Sequence, residues 1–219
     1  MKTNIAQETA KLLFDIKAIS LQLEKPFQYT SGIFSPIYVD NRVIFSYPTV
    51  RVKIVTFLIT KIINRVGLGN VELISGTATA AIPYAAFISQ MLEVPMVYVR
   101  DTKKGHGKKN QVEGVVANSQ KVLVVEDHIT TGGSAIGNAK AIKNVGGKVK
   151  YVIAATTYNL PISVQNFKKN KLKVFTLTNI NEIIEIAVKR KLIKIKDRAM
   201  ILEWSKDPSG WGKKFGFEK

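Results

Sequence analysis

The chain has 219 residues, 46% of them hydrophobic and 22% charged. That composition supports a buried core and excludes a disordered, collagen-like or coiled-coil chain. Its 33 Lys+Arg against 16 Asp+Glu give a formal net charge of +17, which calls for an anionic partner: phosphate groups, nucleic acid or an acidic membrane face. With no cysteine and only His106 and His128 as histidines, disulfides, thiolate metal sites, cysteine nucleophiles and histidine-rich metal centres are excluded.

Residues 5–19 read as an amphipathic helix, with Ile5, Leu12, Leu13, Ile16 and Ile19 near one face. Glu8 and Asp15 in this segment do not suit a secretory signal, and a cytoplasmic protein is expected. Residues 27–42 change character. Phe27, Tyr29, Ile33, Ile37, Tyr38 and Val39 sit among Ser31, Gly32, Ser35 and Pro36, which predicts short strands and turns in a small separate layer. Pro48 opens a helix that runs to about residue 65 and is closed by Gly67.

The chain then alternates between strand and helix. Strands are expected over 71–75, 96–99, 122–125, 149–156 and 172–177, and helices over 80–92 and 133–145, the last stopped by Gly146-Gly147. Such a sequence predicts an α/β fold with a central, mostly parallel sheet covered on both faces, and a ligand site at the carboxyl ends of the strands. The uncharged stretch 73–92 is long enough to cross a bilayer. Its Ser75, Gly76, Thr77, Thr79, Pro83, Ser89 and Gln90 read instead as strand, loop and helix, so no membrane is expected. The tail over 189–219 holds 10 Lys+Arg against 4 Asp+Glu, with a helix expected over 199–204 followed by Gly-rich polar residues.

One segment carries chemistry on its own terms. Val122-Leu123-Val124-Val125-Glu126-Asp127-His128-Ile129-Thr130-Thr131-Gly132-Gly133-Ser134 is a buried strand that delivers two adjacent carboxylates to its carboxyl end, then a Thr/Gly/Ser loop, then a helix N-terminus. Free backbone N–H groups, hydroxyls and the helix dipole form a phosphate cradle. The carboxylates cannot bind phosphate, but they can accept hydrogen bonds from ribose hydroxyls or ligate Mg²⁺ directly or through water. A phosphate cradle beneath a diol or metal clamp describes a sugar phosphate. A second segment, 98–114, places Arg100, Lys103, Lys104, Lys108 and Lys109 with Gly105, His106 and Gly107 after a strand. It is too polar to pack, and reads as a long mobile loop that closes over an anion.

The first segment resembles the phosphoribosyl pyrophosphate motif of the type I phosphoribosyltransferases. The second, Arg-x3-Lys-x-His-Gly followed by Asn-Gln-x-Glu-Gly, resembles the catalytic loop of the orotate phosphoribosyltransferases. Residues 27–42 resemble the same family's hood over orotate, and Ser75-Gly76-Thr77-Ala78-Thr79-Ala80-Ala81-Ile82-Pro83 its pyrophosphate loop. The resemblance runs in motif order through nearly the whole chain.

It implies one phosphoribosyltransferase domain over 1–219, with a small N-terminal hood at about 20–45, the mobile loop at about 100–114 and a basic C-terminal extension at about 189–219. It implies transfer of the 5-phosphoribosyl group from phosphoribosyl pyrophosphate to orotate, giving orotidine 5′-monophosphate and pyrophosphate, with Mg²⁺ as cofactor. The implied catalytic residues are Arg100, Lys104, His106 and Asp127. Arg100, Lys104 and His106 would serve the pyrophosphate from a neighbouring subunit, so a homodimer with shared active sites is expected. The implied donor site adds Thr77, Thr79, Glu126, His128, Ile129, Thr130, Thr131, Gly132, Gly133 and Ser134. Glu126 and Asp127 would take the ribose hydroxyls and any metal, and Thr130 to Ser134 the 5′-phosphate. Thr130, Tyr38 and Val39 would face orotate. His106 is either a proton donor to the leaving group or a hydrogen bonder.

The chain departs from the family pattern in four places. Asp101 follows the loop arginine where many members have a second basic residue. Thr30 and Ala80 stand where some members have lysine, and no arginine occurs between Arg100 and Arg190. Two rivals share parts of the pattern. A purine phosphoribosyltransferase would keep the donor motif without the hood. A nucleic-acid-binding regulator would use the basic surface, but it need not keep both loop and hood, so small-molecule substrates are expected rather than nucleic acid.

Overall fold

The computed structural model describes residues 4–29, 31–100 and 111–218. Helix α1 (Ile5–Asp15) is capped by Asn4, whose side chain accepts from the Ala6 and Gln7 amides. It stops four residues short of the apolar pattern's end, because Lys17 adopts a left-handed φ of 56°. Ile19 therefore begins strand β1 (Ile19–Leu21) and is buried there instead. Strands β2 (Phe27–Gln28), β3 (Phe34–Ser35) and β4 (Ile37–Val39) follow. β1 pairs antiparallel with β4, and β2 with β3. This is the small separate layer expected from residues 27–42.

A 3-10 turn over Asn41–Ser46 leads to α2 (Pro48–Lys61), which has proline in its first turn. The helix runs on as one wider turn to Val66, and Gly67 ends it at φ 80°. Then come β5 (Leu73–Thr77), α3 (Ile82–Leu92), β6 (Met96–Val99), β7 (Val112–Glu113), β8 (Lys121–Ile129), α4 (Gly133–Asn144), β9 (Lys148–Thr157), α5 (Pro161–Lys169), β10 (Lys173–Asn179), α6 (Ile180–Lys189), α7 (Asp197–Lys206) and α8 (Pro208–Lys214).

Six strands form the central sheet in the order β10-β9-β8-β5-β6-β7, all parallel except β7 against β6. The parallel strands are almost wholly apolar because helices cover both faces. Alternation along β8 sorts the two cores. Leu123 and Val125 join the large core that also contains Leu13, Leu58, Ile88 and Ile184. Val122 and Val124 join a smaller core with Ile136 and Ile142 of α4 and Phe167 of α5.

Strand β8 is longer than its apolar run. Glu126 and Asp127 lie inside the ladder, with Glu126 in register with Ala154 and His128 with Thr156. Helices α5 and α6 and strand β7 add to the elements expected from sequence. The tail also differs. Residues 208–214 form α8, capped by Asp207 accepting from the Gly210 amide, and Trp211 is buried. Two buried tryptophans, Trp204 and Trp211, fold the end of this polar segment onto the hood. No helix among the described residues is long and apolar enough to cross a membrane.

Candidate active site

The carboxyl ends of β5, β6, β8 and β9 converge on one region. β8 ends in Glu126, Asp127, His128 and Ile129, and the chain then turns through Thr130, Thr131 and Gly132 into α4. Gly132 has φ 82°, a left-handed conformation that glycine adopts without strain. A Cβ at this position would stand 2.6 Å from Cε2 of Phe167, so the α5 ring packs directly on the turn. Asn166 of α5 holds the turn from the same side, its Nδ2 donating to the Thr131 carbonyl at 3.0 Å. The result is a hollow of about 90 Å³ lined by residues from Glu126 to Ala135. The first-turn amides of α4 lack intrahelical acceptors and face an anion's natural place.

A second hollow of about 140 Å³ shares Gly133 and Ser134 with the first and adds Thr77, Val99, Arg100, Gln111, Gly137 and Asn138. Asn138 is buried on the inner side of α4. Its Oδ1 accepts from Ser75 Oγ at 2.8 Å and its Nδ2 donates to Thr77 Oγ1 at 3.0 Å. The cradle helix is thereby tied to the segment after β5, where Thr79 is exposed. Arg100 leaves β6 beside this hollow. Its amide donates to the Gln111 carbonyl at 3.0 Å, Gln111 Nε2 donates to the Arg100 carbonyl at 2.7 Å, and its guanidinium pairs with Glu113 at 3.5 Å. The chain thus departs at Arg100 and returns at Gln111. Lys104 and His106, with Asp101 and Thr30, lie outside the described residues.

Glu126 is buried and Asp127 half-buried. Burial pushes the Glu126 carboxyl well above the usual carboxylate range, and the neighbouring Asp127 charge adds to the push. Burial raises Asp127 as well, while a hydrogen bond with Glu126 opposes the rise. Glu126 Oε1 accepts from the Asp127 amide at 3.2 Å, and its Oε2 is buried with no hydrogen-bond partner. An orphan carboxylate oxygen beside this hollow is suited to a hydroxyl donor or a cation.

The other wall is the hood. Asn41 is buried, and its Nδ2 donates to the Asp127 carbonyl and to Thr156 Oγ1, both at 2.7 Å. Tyr84 of α3 donates to the Asn41 carbonyl at 3.0 Å. His128 turns toward this wall. Its Nδ1 meets Thr156 Oγ1 at 2.7 Å, its ring stands edge-on to Tyr158 at 4.2 Å, and burial lowers its pKa to about 3. It is therefore a neutral imidazole. Tyr38 is exposed and tilted against Phe27 and Tyr29, while Val39 is buried. Asp40 holds Arg42 through two hydrogen bonds of 2.7 and 2.8 Å.

The structure thus brings together Thr77, Arg100, Glu126, Asp127, Ile129 and residues 130–134, with Tyr38 and Val39 on the facing wall. The sequence reading missed Asn41, Asn138, Thr156 and Tyr158. A buried asparagine on the apolar side of α4 was the one available signal, and it concerned Asn138 alone.

A strand, glycine turn and helix start carrying an acidic pair at the switch point of a parallel sheet, with a separate hood, is the architecture of a type I phosphoribosyltransferase, and residues 49–191 match the phosphoribosyl transferase domain family. An orotate phosphoribosyltransferase of Enterococcus faecalis is 45% identical over 96% of this chain and 100% of its own length. A crystal structure of orotate phosphoribosyltransferase from Aeropyrum pernix superposes with a TM-score of 0.70 at 26% identity, covering 80% of this chain and 96% of that one. The fold also matches Leishmania donovani UMP synthase, with a TM-score of 0.75 at 20% identity, over 91% of this chain and 42% of that longer one. The chain belongs to the orotate phosphoribosyltransferase family.

Proposed function

We propose that the protein transfers the 5-phosphoribosyl group from phosphoribosyl pyrophosphate to orotate, releasing pyrophosphate and orotidine 5′-monophosphate for pyrimidine nucleotide synthesis. The observation that carries this reading is the continuity of the acidic pair, with Glu126 buried, and the hollow along residues 126–135, faced by a hood. The 5′-phosphate sits on the amides and hydroxyls of residues 130–134. Glu126 and Asp127 accept from the ribose hydroxyls and fix the sugar. Orotate lies between Thr130 and the hood at Tyr38 and Val39. Substitution at the anomeric carbon builds cationic character on the sugar and negative charge on the leaving group. Catalysis is therefore positioning and charge stabilisation more than proton transfer. Arg100 lines the hollow that adjoins the cradle and supplies positive charge for the pyrophosphate, joined by Lys104 and His106.

Magnesium fits these residues in part. Glu126 Oε2 is an orphan acceptor, but no group of three or more acidic or histidine side chains among the described residues could hold a metal alone. Mg²⁺ would meet Glu126 and Asp127 directly or through water and take its remaining oxygens from the donor and solvent. When bound, it would supply neutralising charge to the pyrophosphate. We place the enzyme in the cytoplasm, as a homodimer. An apolar hollow of about 160 Å³ on α2 and α3, with Val52 and Met91 exposed beside Phe87, supports an interface there.

The test of function is a panel of bases. Orotate, uracil, hypoxanthine and adenine are each given with donor and Mg²⁺, and pyrophosphate release is followed. Rapid release is expected with orotate alone; turnover of a purine without orotate would transfer the assignment to that rival. Shared sites are tested by mixing Lys104→Ala with Asp127→Asn under subunit exchange. Activity returning toward roughly half per heterodimer is expected if loop and cradle come from different chains. Demonstrated exchange with no recovery would put both in one chain.

A further inference from the structure

The C-terminal helices reach the same wall from outside. Trp204 of α7 is fully buried, and its Nε1 donates to the Phe34 carbonyl of β3 at 2.8 Å. Its ring stands edge-on to Tyr158, with centroids 4.9 Å apart at 89°. Tyr158 in turn stands edge-on to His128 at the end of β8. The Tyr158 hydroxyl meets the Tyr29 hydroxyl at 3.2 Å. Trp204 therefore touches the hood directly and the donor strand through one intervening ring. Helix α8 supports the same contact. Gly212 lies so close to Phe34 that a Cβ there would come within 2.9 Å of its ring, and the Phe217 ring lies tilted against Phe34 with centroids 6.4 Å apart.

The hood cannot hold this position by itself. Its ribbons are pairs of two- and three-residue strands, and isolated ribbons of that length are marginal in water. What fixes them is what they pack against. Trp204, Trp211, Gly212 and Phe217 all lie beyond residue 191, the end of the matched family segment. The basic tail is thus a brace for the hood, and its lysines are the solvated side of that brace.

We propose that Trp204 is a positioning residue that sets affinity for the base by holding the hood against the end of β8, without touching either substrate. The proposal rests on the orotate reading only for the identity of the base. Its geometric basis is the pair of contacts to Phe34 and Tyr158 from one indole.

The test is Trp204→Phe, which keeps an aromatic ring in place and removes the donor to the Phe34 carbonyl. A matched control exists in Trp211→Phe. Trp211 Nε1 donates to the Met200 carbonyl at 2.9 Å, a bond internal to the C-terminal helices. Each substitution removes one indole hydrogen bond to a carbonyl, so both should lower the melting temperature. Only Trp204→Phe should raise KM for orotate, by about fivefold to tenfold, with KM for the phosphoribosyl donor changed less than about twofold. Equal changes in both KM values, or unchanged KM values with only a lower melting temperature, would make Trp204 a structural residue and overturn the proposal. The wild-type base panel separates the two failures. If another base is the substrate, the orotate reading falls, and the same comparison is made with KM for that base.

Discussion

The donor wall of the site comes from one unbroken stretch, residues 126–134, whereas the hood wall is gathered from residues 27–42, 156–158 and 204–217. The donor wall is polar and holds a buried carboxylate with an orphan oxygen beside a half-buried one. The hood wall is aromatic, and several of its polar atoms answer one another, Tyr29 to Tyr158, Asn41 Nδ2 to Thr156 and Trp204 to Phe34, while Asn41 Oδ1 is left without a partner. The difference teaches where stability and function part. Groups kept for a ligand are left expensive in the free protein, while groups kept for shape are paired and packed.

The sharpest way to break this comparison is Asp127→Asn. A ligand-holding carboxylate at a strand end should lose about 100-fold or more in kcat/KM, with the melting temperature hardly moved. Normal kinetics with a much lower melting temperature would mean that Asp127 belongs with the packed wall. Gly132→Ala comes next. The added methyl meets Phe167 and the backbone is left-handed, so a stability loss of about 1–3 kcal/mol is expected. A raised KM for the donor should accompany it. Calorimetry and steady-state kinetics on one preparation check both, and an unchanged donor KM would separate the cradle's shape from its packing on α5.

The smallest effect carries the most information. Glu126 has a folded pKa raised by burial. The native state therefore holds its proton to higher pH than the unfolded chain does. Between the ordinary carboxylate pKa and the raised one, the native state binds more protons, so stability falls as pH rises. Glu126→Gln removes that dependence. Its melting temperature should exceed that of the parent at pH 8, and the gain should vanish near pH 4, where the carboxyl is protonated in both states. Activity should fall at the same time. A variant that is less stable than the parent at pH 8 would show that the carboxylate is paired for structure.

Much of this was legible in the amino-acid order alone. The parallel sheet was readable because buried strands carry unbroken apolar runs between helical patterns, as in 122–125 and 149–156. The strand, carboxylates, Gly turn and helix start of the proposed cradle were readable because they follow one another in adjacent residues. The apolar spacing of the first helix pointed four residues too far, since Ile19 is buried equally well from a strand, and only the left-handed turn at Lys17 decided between them. The polar composition of the tail likewise concealed α8, whose burial depends on two tryptophans finding a hood far away in the chain. Asn41 reaches Asp127 across 86 positions, and Trp204 reaches Phe34 across 170. Such contacts leave no periodicity and no local spacing. Each partner alone is an ordinary asparagine or tryptophan, and it becomes a part of the site only when the folded sheet brings the two ends of the chain to the same edge.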